Sequence, residues 1–305
     1  MVKLPYLIES QQFDKQLLFS LFNRAEQLRV KPENTLNGKV LATLFYEPST
    51  RTRLSFESAM LRMGGSVLST ENAKEFSSAI KGESLEDSIR VICAYSDCIV
   101  MRHYEDDSAQ RAVNVATKPF INAGSGRGQH PTQALLDLYT IHRELGKVEG
   151  ITVAMVGDLA NGRTVHSLSY LLGKFDSQTK IIFVSPPNLR IPENIKEYLV
   201  RHNITFSEET DFSKVLPIAD VIYMTRIQKE RMTPEDYELA KGKYCIDSHN
   251  LGQVRPNARI MHPLPHVEEI NIPIEIENND LRIAYFRQAE NGIYVRMALL
   301  EHLMK

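Results

Sequence analysis

The stretch that decides the fold is Glu47-Pro48-Ser49-Thr50-Arg51-Thr52-Arg53. Residues 39–46 before it form an almost unbroken apolar run of strand length, which is typical of a buried parallel strand. After it, Phe56 and Met60 recur at helical spacing. The stretch is therefore predicted to be the turn between a strand and a helix and to include the first turn of that helix. Its Ser and Thr hydroxyls are candidate N-caps.

Two arginines in this predicted first turn contradict the usual charge preference of a helix N-terminus. The N-terminus carries partial positive charge, so Arg51 and Arg53 are locally unfavourable and suggest a compensating function. Backbone N–H groups, hydroxyls and a guanidinium would together suit an oxyanion, most naturally a phosphate. A helix start whose arginines simply face water is the alternative that these residues leave open.

Length and composition limit the class of protein. A chain of 305 residues can form two lobes with substantial cores. Lysine plus arginine number 36 and aspartate plus glutamate 38, and this balance argues against a nucleic-acid binder. No apolar run approaches membrane-spanning length. The three cysteines lack CxxC spacing and the first residues lack a signal-peptide pattern, so we expect a cytoplasmic protein without structural zinc.

Strands alternate with helical segments along the whole chain, which predicts an α/β fold. We expect two lobes, each a mostly parallel sheet flanked by helices, with the active site in the cleft between them. The predicted domains are residues 1–146 together with 285–305, and residues 147–284. Several polar residues directly follow predicted strands, where ligands of parallel sheets bind: Arg51, Arg102, His130, Arg163, Arg226 and Pro263.

Two glycine-containing segments suggest nucleotide binding but do not complete the motif. Residues 124–129 lack the final glycine of GxGxxG. Residues 157–164 have the spacing of the P-loop pattern GxxxxGK[ST] and depart from it at one residue, an arginine in place of its lysine. A planar guanidinium does not replace that point charge. The preferred interpretation is a strand-to-helix turn that presents Arg163 to a carboxylate. A P-loop enzyme remains the distant alternative.

Several motifs together resemble the aspartate/ornithine carbamoyltransferase family, in the family's order and at similar spacing. They are Ser49-Thr50-Arg51-Thr52-Arg53, Met101-Arg102-His103, His130-Pro131-Thr132-Gln133, Gly162-Arg163-Thr164, Thr225-Arg226-Ile227-Gln228 and His262-Pro263-Leu264-Pro265. The ornithine branch typically has a cysteine where Pro263 stands. Arg226 and Gln228 suit a second carboxylate rather than a second amine, so the resemblance favours the aspartate branch.

The resemblance implies a role for each motif residue. The phosphate of carbamoyl phosphate would be bound by Ser49, Thr50, Arg51, Thr52 and Arg102. The carbamoyl carbonyl oxygen would be polarised by Thr52, Arg102 and His130, which with Arg51 form the expected catalytic set. The carbamoyl amide would be held by Gln133, Pro263 and Leu264. Aspartate would be bound by Arg163, Arg226, Gln228 and Lys81.

The resemblance also implies an assembly and a reaction. Ser77 and Lys81 would reach the site of a neighbouring subunit in a homotrimer, and Glu47 and Arg231 would serve domain closure. The carbamoyl group would pass to the amine of L-aspartate, an early step of de novo pyrimidine biosynthesis, with no metal and no cofactor. A separate regulatory chain is left open as a partner.

Two departures and two rivals accompany the resemblance. Pro48 stands where the family pattern has smaller or polar residues. His266 stands where the pattern has an arginine, which puts one interdomain ion pair in doubt. The close rival is a carbamoyltransferase acting on ornithine or an acylated relative. A two-lobed binding protein without catalysis is the other.

Overall fold

The computed structural model describes residues 5–73, 82–175, 178–227, 237 and 242–305. The chain divides into two units, Met1–Tyr139 with Glu290–Lys305, and Thr140–Ala289. None of the helices in these described ranges is long and apolar enough to cross a membrane.

The first unit is built on a five-stranded parallel sheet. Its strands are β1 (Tyr6–Leu7), β2 (Val40–Phe45), β3 (Ser66–Glu71), β4 (Cys98–His103) and β5 (Phe120–Ser125), in the order β1-β5-β4-β2-β3. Its helices are α1 (Lys15–Val30), α2 (Thr50–Arg62), α3 (Leu85–Tyr95), α4 (Ser108–Val115), most of α5 (Pro131–Leu145) and most of α9 (Tyr285–Met304).

The period-2 geometry of its strands explains the core on one face of this sheet. Ala42 and Leu44 of β2 are two residues apart and therefore lie on the same face, where they pack with Ile89 and Cys93 of α3. The apolar run 39–46 thus forms the buried parallel strand that its composition predicts. The end of β2 lies beside the end of β4, because Phe45 is in register with Arg102.

The second unit has a parallel sheet of its own. Its strands are β6 (Thr152–Val156), β7 (Lys180–Val184), β8 (Thr205–Glu209), β9 (Val221–Met224) and β11 (Arg259–Met261), in the order β11-β9-β6-β7-β8, and β10 (Ile246–Asp247) pairs with β12 (Ile270–Asn271). Its helices are α6 (Arg163–Leu172), α7 (Glu193–Arg201) and α8 (Ile274–Asn279). The predicted α/β class with two parallel sheets is confirmed.

The division between the units falls inside two helices. α5 and α9 each contribute residues to both units, since the divisions lie at 139/140 and 289/290. The sequence-based boundaries, 146/147 and 284/285, lie instead at the ends of these helices. The sequence indicates a boundary where a helix ends, whereas the two compact units are defined by which residues of that helix pack together. Arg24 of α1 pairs with Glu301 of α9 at 2.6 Å (Nε to Oε2), within the first unit.

Candidate active site

The start of α2 is the candidate anion-binding surface of the first unit. Helices α1 and α3 begin with side-chain caps, since Asp14 accepts from the Leu17 N–H and Ser84 from the Asp87 N–H. Ser49 occupies the N-cap position of α2 as predicted, but in the structure described here its side chain makes no capping hydrogen bond. The first-turn N–H groups of α2 therefore have no side-chain cap of the kind seen on α1 and α3.

Arg51 and Arg102 bring two positive charges to this helix start. Arg51 is exposed, but the protein around it lowers the pKa of its guanidinium. Burial also lowers the pKa of Arg102; Glu47 raises it, and the charge of Arg51 lowers it further. The charge of Arg51 thus disfavours the charged form of Arg102, and a bound anion would relieve that repulsion.

Arg53 lies in the same turn but is occupied elsewhere. Its Nη2 is 2.7 Å from Oε2 of Glu71, and its Nη1 is 3.3 Å from Oε1 of Glu57. The Arg53 Nη1 also donates to the Ser69 hydroxyl at 3.1 Å. These contacts tie α2 to the adjacent strand β3, so Arg53 has a structural role and Arg51 is the arginine suited to a ligand.

His130 and Gln133 lie at the start of α5, which begins at Pro131. His130 is buried, and its Nδ1 is 3.4 Å from the Thr132 hydroxyl. The Gln133 Nε2 donates to Oδ1 of Asp137 at 2.8 Å. Because an ionised carboxylate only accepts hydrogen bonds, this contact leaves the Gln133 amide oxygen as the acceptor for other groups. An amide N–H of a ligand fits such an acceptor.

Arg163 and Arg226 follow neighbouring strands of the second unit. Arg163 begins α6 after β6, and Arg226 lies two residues beyond β9. β6 and β9 are paired in parallel, and Thr225 donates from both N–H and hydroxyl to the Val156 carbonyl, at 2.8 and 2.9 Å. A Cβ on Gly157 would lie 2.3 Å from the Thr225 carbonyl oxygen, so this close approach requires glycine.

The loop before Arg163 is unlike a phosphate cradle. Its buried Asp158 accepts from the Asn161 N–H at 3.0 Å and from the Asn161 side chain at 3.2 Å. A P-loop uses its backbone N–H groups for phosphate, whereas here a carboxylate takes one of them and adds negative charge. The nucleotide alternative is therefore disfavoured, and a carboxylate ligand for Arg163 is favoured.

The Pro263–Leu264 segment is held by a buried histidine. The Leu264 N–H donates to Nδ1 of His262 at 2.8 Å, and Nε2 of His262 lies 2.9 Å from Oε1 of Glu269. Leu264 has φ +56°, an uncommon value for a non-glycine residue. Burial would raise the pKa of Glu269, but the hydrogen bond from His262 holds it below its usual range.

The residue that departs from the family pattern, His266, lies beside this segment. Its Nε2 is 3.5 Å from Oε1 of Glu277, and its ring contacts that of Tyr285 with centroids 5.2 Å apart. The Tyr285 hydroxyl also donates to Glu277. A histidine therefore takes a carboxylate partner within the second unit at the position where an arginine is expected.

Four predicted site residues lie outside the described residues: Ser77, Lys81, Gln228 and Arg231. Their roles, and that of Glu47 in domain closure, stay predictions. Within the described ranges, no group of three His, Cys, Asp or Glu side chains could hold a metal ion.

Sequence reasoning missed two buried residues near the site, Asp137 and Arg296. Asp137 follows Gln133 by four residues on one helix, a spacing that brings the two side chains together. Arg296 is a single cation between the buried residues Val295 and Met297 of α9. The spacing of Gln133 and Asp137 and the isolated arginine on α9 are both visible in the sequence. That Arg296 lies near Asp137, 159 positions earlier, cannot be deduced from one sequence.

Family models match both parts of the chain. The carbamoyl-P binding domain of aspartate/ornithine carbamoyltransferase matches residues 6–143, and the Asp/Orn binding domain matches residues 149–303. The chain belongs to the aspartate/ornithine carbamoyltransferase family. Within this carbamoyltransferase family, the similar proteins named below are all aspartate enzymes, so the predicted aspartate branch is confirmed.

Two carbamoyltransferase relatives illustrate the similarity in sequence. The chloroplastic aspartate carbamoyltransferase of Arabidopsis thaliana is 52% identical over 99% of this chain and 78% of its own length. The aspartate carbamoyltransferase catalytic subunit of Thermoplasma volcanium is 46% identical over 94% of each chain.

Solved carbamoyltransferase structures show the same fold. The catalytic subunit of M. jannaschii aspartate transcarbamoylase has a TM-score of 0.89 at 46% identity, and the comparison covers 98% of both chains. Aspartate transcarbamoylase from Trypanosoma cruzi, in complex with carbamoyl phosphate and aspartate, has a TM-score of 0.90 at 38% identity, covering 98% of this chain and 95% of that one.

The cytoplasmic expectation is corrected by these comparisons. Relatives from Arabidopsis thaliana, Pisum sativum and Oryza sativa are named chloroplastic. Few cysteines indicate only that a protein works in reducing surroundings, and cytoplasm is not the only such compartment. The cysteine count therefore did not justify the cytoplasmic assignment.

Proposed function

We propose that the chain transfers the carbamoyl group of carbamoyl phosphate to the amine of L-aspartate. The products are N-carbamoyl-L-aspartate and phosphate, and the reaction is an early step of de novo pyrimidine biosynthesis. The observation that carries the proposal is the position of Arg102 beside an α2 start without a side-chain cap. The Arg102 carbonyl accepts from the N–H of Tyr46 at 2.9 Å, three residues before the N-cap position of α2. Two guanidinium groups and free helix N–H groups favour a phosphate dianion.

The proposed phosphate ligands are the residues at the first turn of α2 and the end of β4. They are Ser49, Thr50, Arg51, Thr52 and Arg102. The hydroxyls and N–H groups would bind phosphate oxygens directly, and the guanidinium groups would balance the dianion. Because the phosphate is the leaving group, its negative charge grows as the C–O bond breaks, and these donors stabilise it most in the transition state.

The carbamoyl group would be held by donors and acceptors of different kinds. Thr52, Arg102 and His130 would donate toward the carbonyl oxygen, which becomes an oxyanion when the amine attacks. Gln133 would accept from the carbamoyl amide, because its nitrogen faces Asp137. We further propose the backbone carbonyls of Pro263 and Leu264 as acceptors for that amide.

Aspartate would be bound through its two carboxylates. Arg163 would take the α-carboxylate, and Arg226 with Gln228 the side-chain carboxylate, as bidentate guanidinium pairs permit. Lys81 is the further proposed aspartate ligand. Residues 1–146 with 285–305 would form the carbamoyl-phosphate-binding domain and residues 147–284 the aspartate-binding domain.

The proposed chemistry needs positioning and charge stabilisation rather than a covalent nucleophile. The aspartate amine attacks the carbamoyl carbon to form a tetrahedral oxyanion, and the C–O bond to phosphate then breaks. The departing phosphate takes the proton of the amine. Oriented reactants and preset donors account for the acceleration in such a mechanism.

Phosphate release from carbamoyl phosphate tests this function. Release that depends on L-aspartate, with no comparable release on L-ornithine, is the expected result. Faster release with ornithine would contradict aspartate as the proposed amino-acid substrate. Binding of carbamoyl phosphate without release in the presence of either amino acid would support a non-catalytic binding protein.

The proposed assembly is a homotrimer with shared active sites. Ser77 and Lys81 of one subunit would complete the site of its neighbour, as the family resemblance implies. Sedimentation equilibrium would give three times the mass of the 34.7 kDa chain. A monomer that is fully active at all concentrations would contradict this assembly.

A further inference from the structure

Arg296 of α9 is a buried cation that the proposed reaction does not use. Its relative exposure is 3%, and burial lowers its pKa to about 10, which is still well above neutral pH. A buried charge is retained at a considerable cost in desolvation unless partners compensate for it. The groups in contact with Arg296 therefore indicate the role of this buried charge.

The space for this guanidinium is provided by the backbone of its own helix. A Cβ on Gly292, one turn earlier, would lie 2.9 Å from Nη1 of Arg296. The Arg296 Cζ lies 4.8 Å from the ring centroid of Phe56 in α2. Glycine is less favourable than alanine inside a helix, so its presence at position 292 is accounted for by the room it leaves.

One hydrogen-bond path leads from Arg296 to the phosphate-binding turn. Its Nη1 donates to the hydroxyl oxygen of Ser55. That hydroxyl donates in turn to the backbone carbonyls of Arg51 at 2.6 Å and Thr52 at 3.0 Å. The Arg296 guanidinium thus polarises the Ser55 hydroxyl, and that hydroxyl holds the backbone of Arg51 and Thr52 in the proposed phosphate site.

A second path leads from Arg296 to the residue proposed to hold the carbamoyl amide. The fully buried Asp137 favours the charged form of Arg296 electrostatically. Asp137 also accepts the hydrogen bond from Nε2 of Gln133. The hydrogen bond to Asp137 fixes which end of the Gln133 amide faces away from that carboxylate.

We infer that Arg296 is a positioning residue that sets the phosphate-binding turn through Ser55 and the amide orientation of Gln133 through Asp137. This inference rests on the proposed function. Arg296 does not touch substrate in this scheme. Its effect is on carbamoyl phosphate, since both paths end at groups assigned to that substrate and neither ends at Arg163 or Arg226.

The test compares Arg296→Met with Arg24→Met. Arg24 is an arginine of the same unit that also pairs with α9, through Glu301, away from the proposed site. Arg296→Met is expected to raise KM for carbamoyl phosphate about tenfold, while KM for aspartate changes less than twofold. Arg24→Met is expected to lower the melting temperature and leave both KM values unchanged. Equal KM values in wild type and Arg296→Met, or equal increases for both substrates, would overturn the inference.

Two milder variants cover the case in which Arg296→Met does not fold. Ser55→Ala removes one path and is expected to raise KM for carbamoyl phosphate severalfold. Arg296→Lys keeps the charge and is expected to fall between wild type and Met. An unchanged KM in Ser55→Ala together with wild-type behaviour of Arg296→Lys would refute the positioning role. Failure of the proposed function itself would appear separately, as a wild-type protein that releases no phosphate.

Discussion

Glu47 and Arg102 form an ion pair within the first unit, with 3.2 Å between Oε2 and Nε. Glu47, which the family resemblance assigns to domain closure, is therefore paired with Arg102, which is proposed to bind the leaving phosphate. A phosphate that approaches Arg102 must compete with Glu47 for the same guanidinium. Binding of carbamoyl phosphate would then release Glu47 for other contacts.

This competition predicts that Glu47→Gln binds inorganic phosphate more tightly than wild type. The neutral amide keeps the shape of the side chain but removes a negative charge beside the anion. A partly exposed pair of this kind contributes up to about 1 kcal/mol, so the gain should be about fivefold or less in Kd. Isothermal titration calorimetry with inorganic phosphate would measure it, and weaker binding by the variant would contradict the competition.

Removal of the proposed principal phosphate ligand should nearly abolish turnover. Arg51→Ala is expected to lose about 3–4 kcal/mol of transition-state stabilisation, on the order of a hundred- to thousandfold in rate. Arg53→Ala is the matched control in the same helix turn, because Arg53 is held by Glu57 and Glu71. Steady-state phosphate release would separate the two. Near-normal activity of Arg51→Ala would remove the basis for the phosphate assignment.

The proposed sharing of active sites in a homotrimer predicts complementation between two inactive variants. Lys81→Ala and Arg51→Ala trimers should each be nearly inactive for different reasons. Mixed trimers made by dissociating and reassembling the two should regain part of the wild-type activity, since some sites then receive both intact residues. The measurement is specific activity of purified mixed trimers, with reassembled single variants as controls. Mixed trimers as inactive as their parents would refute sharing.

The partly buried ion pair between Arg24 of α1 and Glu301 of α9 predicts a specific loss of stability in acid. Burial would raise the pKa of Glu301, but its hydrogen bonds with Arg24, Lys305 and Thr35 lower it from 4.5 to about 2. A depressed pKa stabilises the fold above pH 4.5, and this contribution is lost as the pH falls toward 2. The contribution is about 3 kcal/mol at neutral pH.

Urea unfolding between pH 6 and pH 2 would measure this contribution in wild type and Glu301→Gln. The variant should be less stable at pH 6, and the difference should shrink as the pH falls. A difference that is constant across this range would show that Glu301 stabilises the fold through packing alone.

The parts of the site that could be predicted from sequence are those that depend on the pattern of residues close together in the chain. The apolar run before Glu47 and the helical spacing after Arg53 were sufficient to place the turn between β2 and α2. Arg53 was expected to be structural, but its partners could not be predicted, because the pairing of β2 with β3 brings Glu71 to Arg53. Sheet pairing is a long-range property that one sequence does not specify.

The Ser49 position shows the same limit at a smaller scale. A serine before a helix predicts a side-chain cap, yet this hydroxyl makes none. Cap propensity measures the stability of an isolated helix, whereas a binding site benefits from donors left for its ligand. Asp137 and Arg296 needed the fold, because α5 and α9 meet only after the chain has returned to the first unit.

The fixed amide of Gln133 has a consequence for the choice among acyl phosphates. Its oxygen is an acceptor because its nitrogen is committed to Asp137. Acetyl phosphate has nearly the shape of carbamoyl phosphate but offers a methyl group where the carbamoyl group offers N–H donors. A site with a committed acceptor rejects such an analogue far more strongly than an apolar pocket rejects an extra methylene. Asp137, without touching substrate, would thereby exclude a common cellular acyl donor from pyrimidine synthesis.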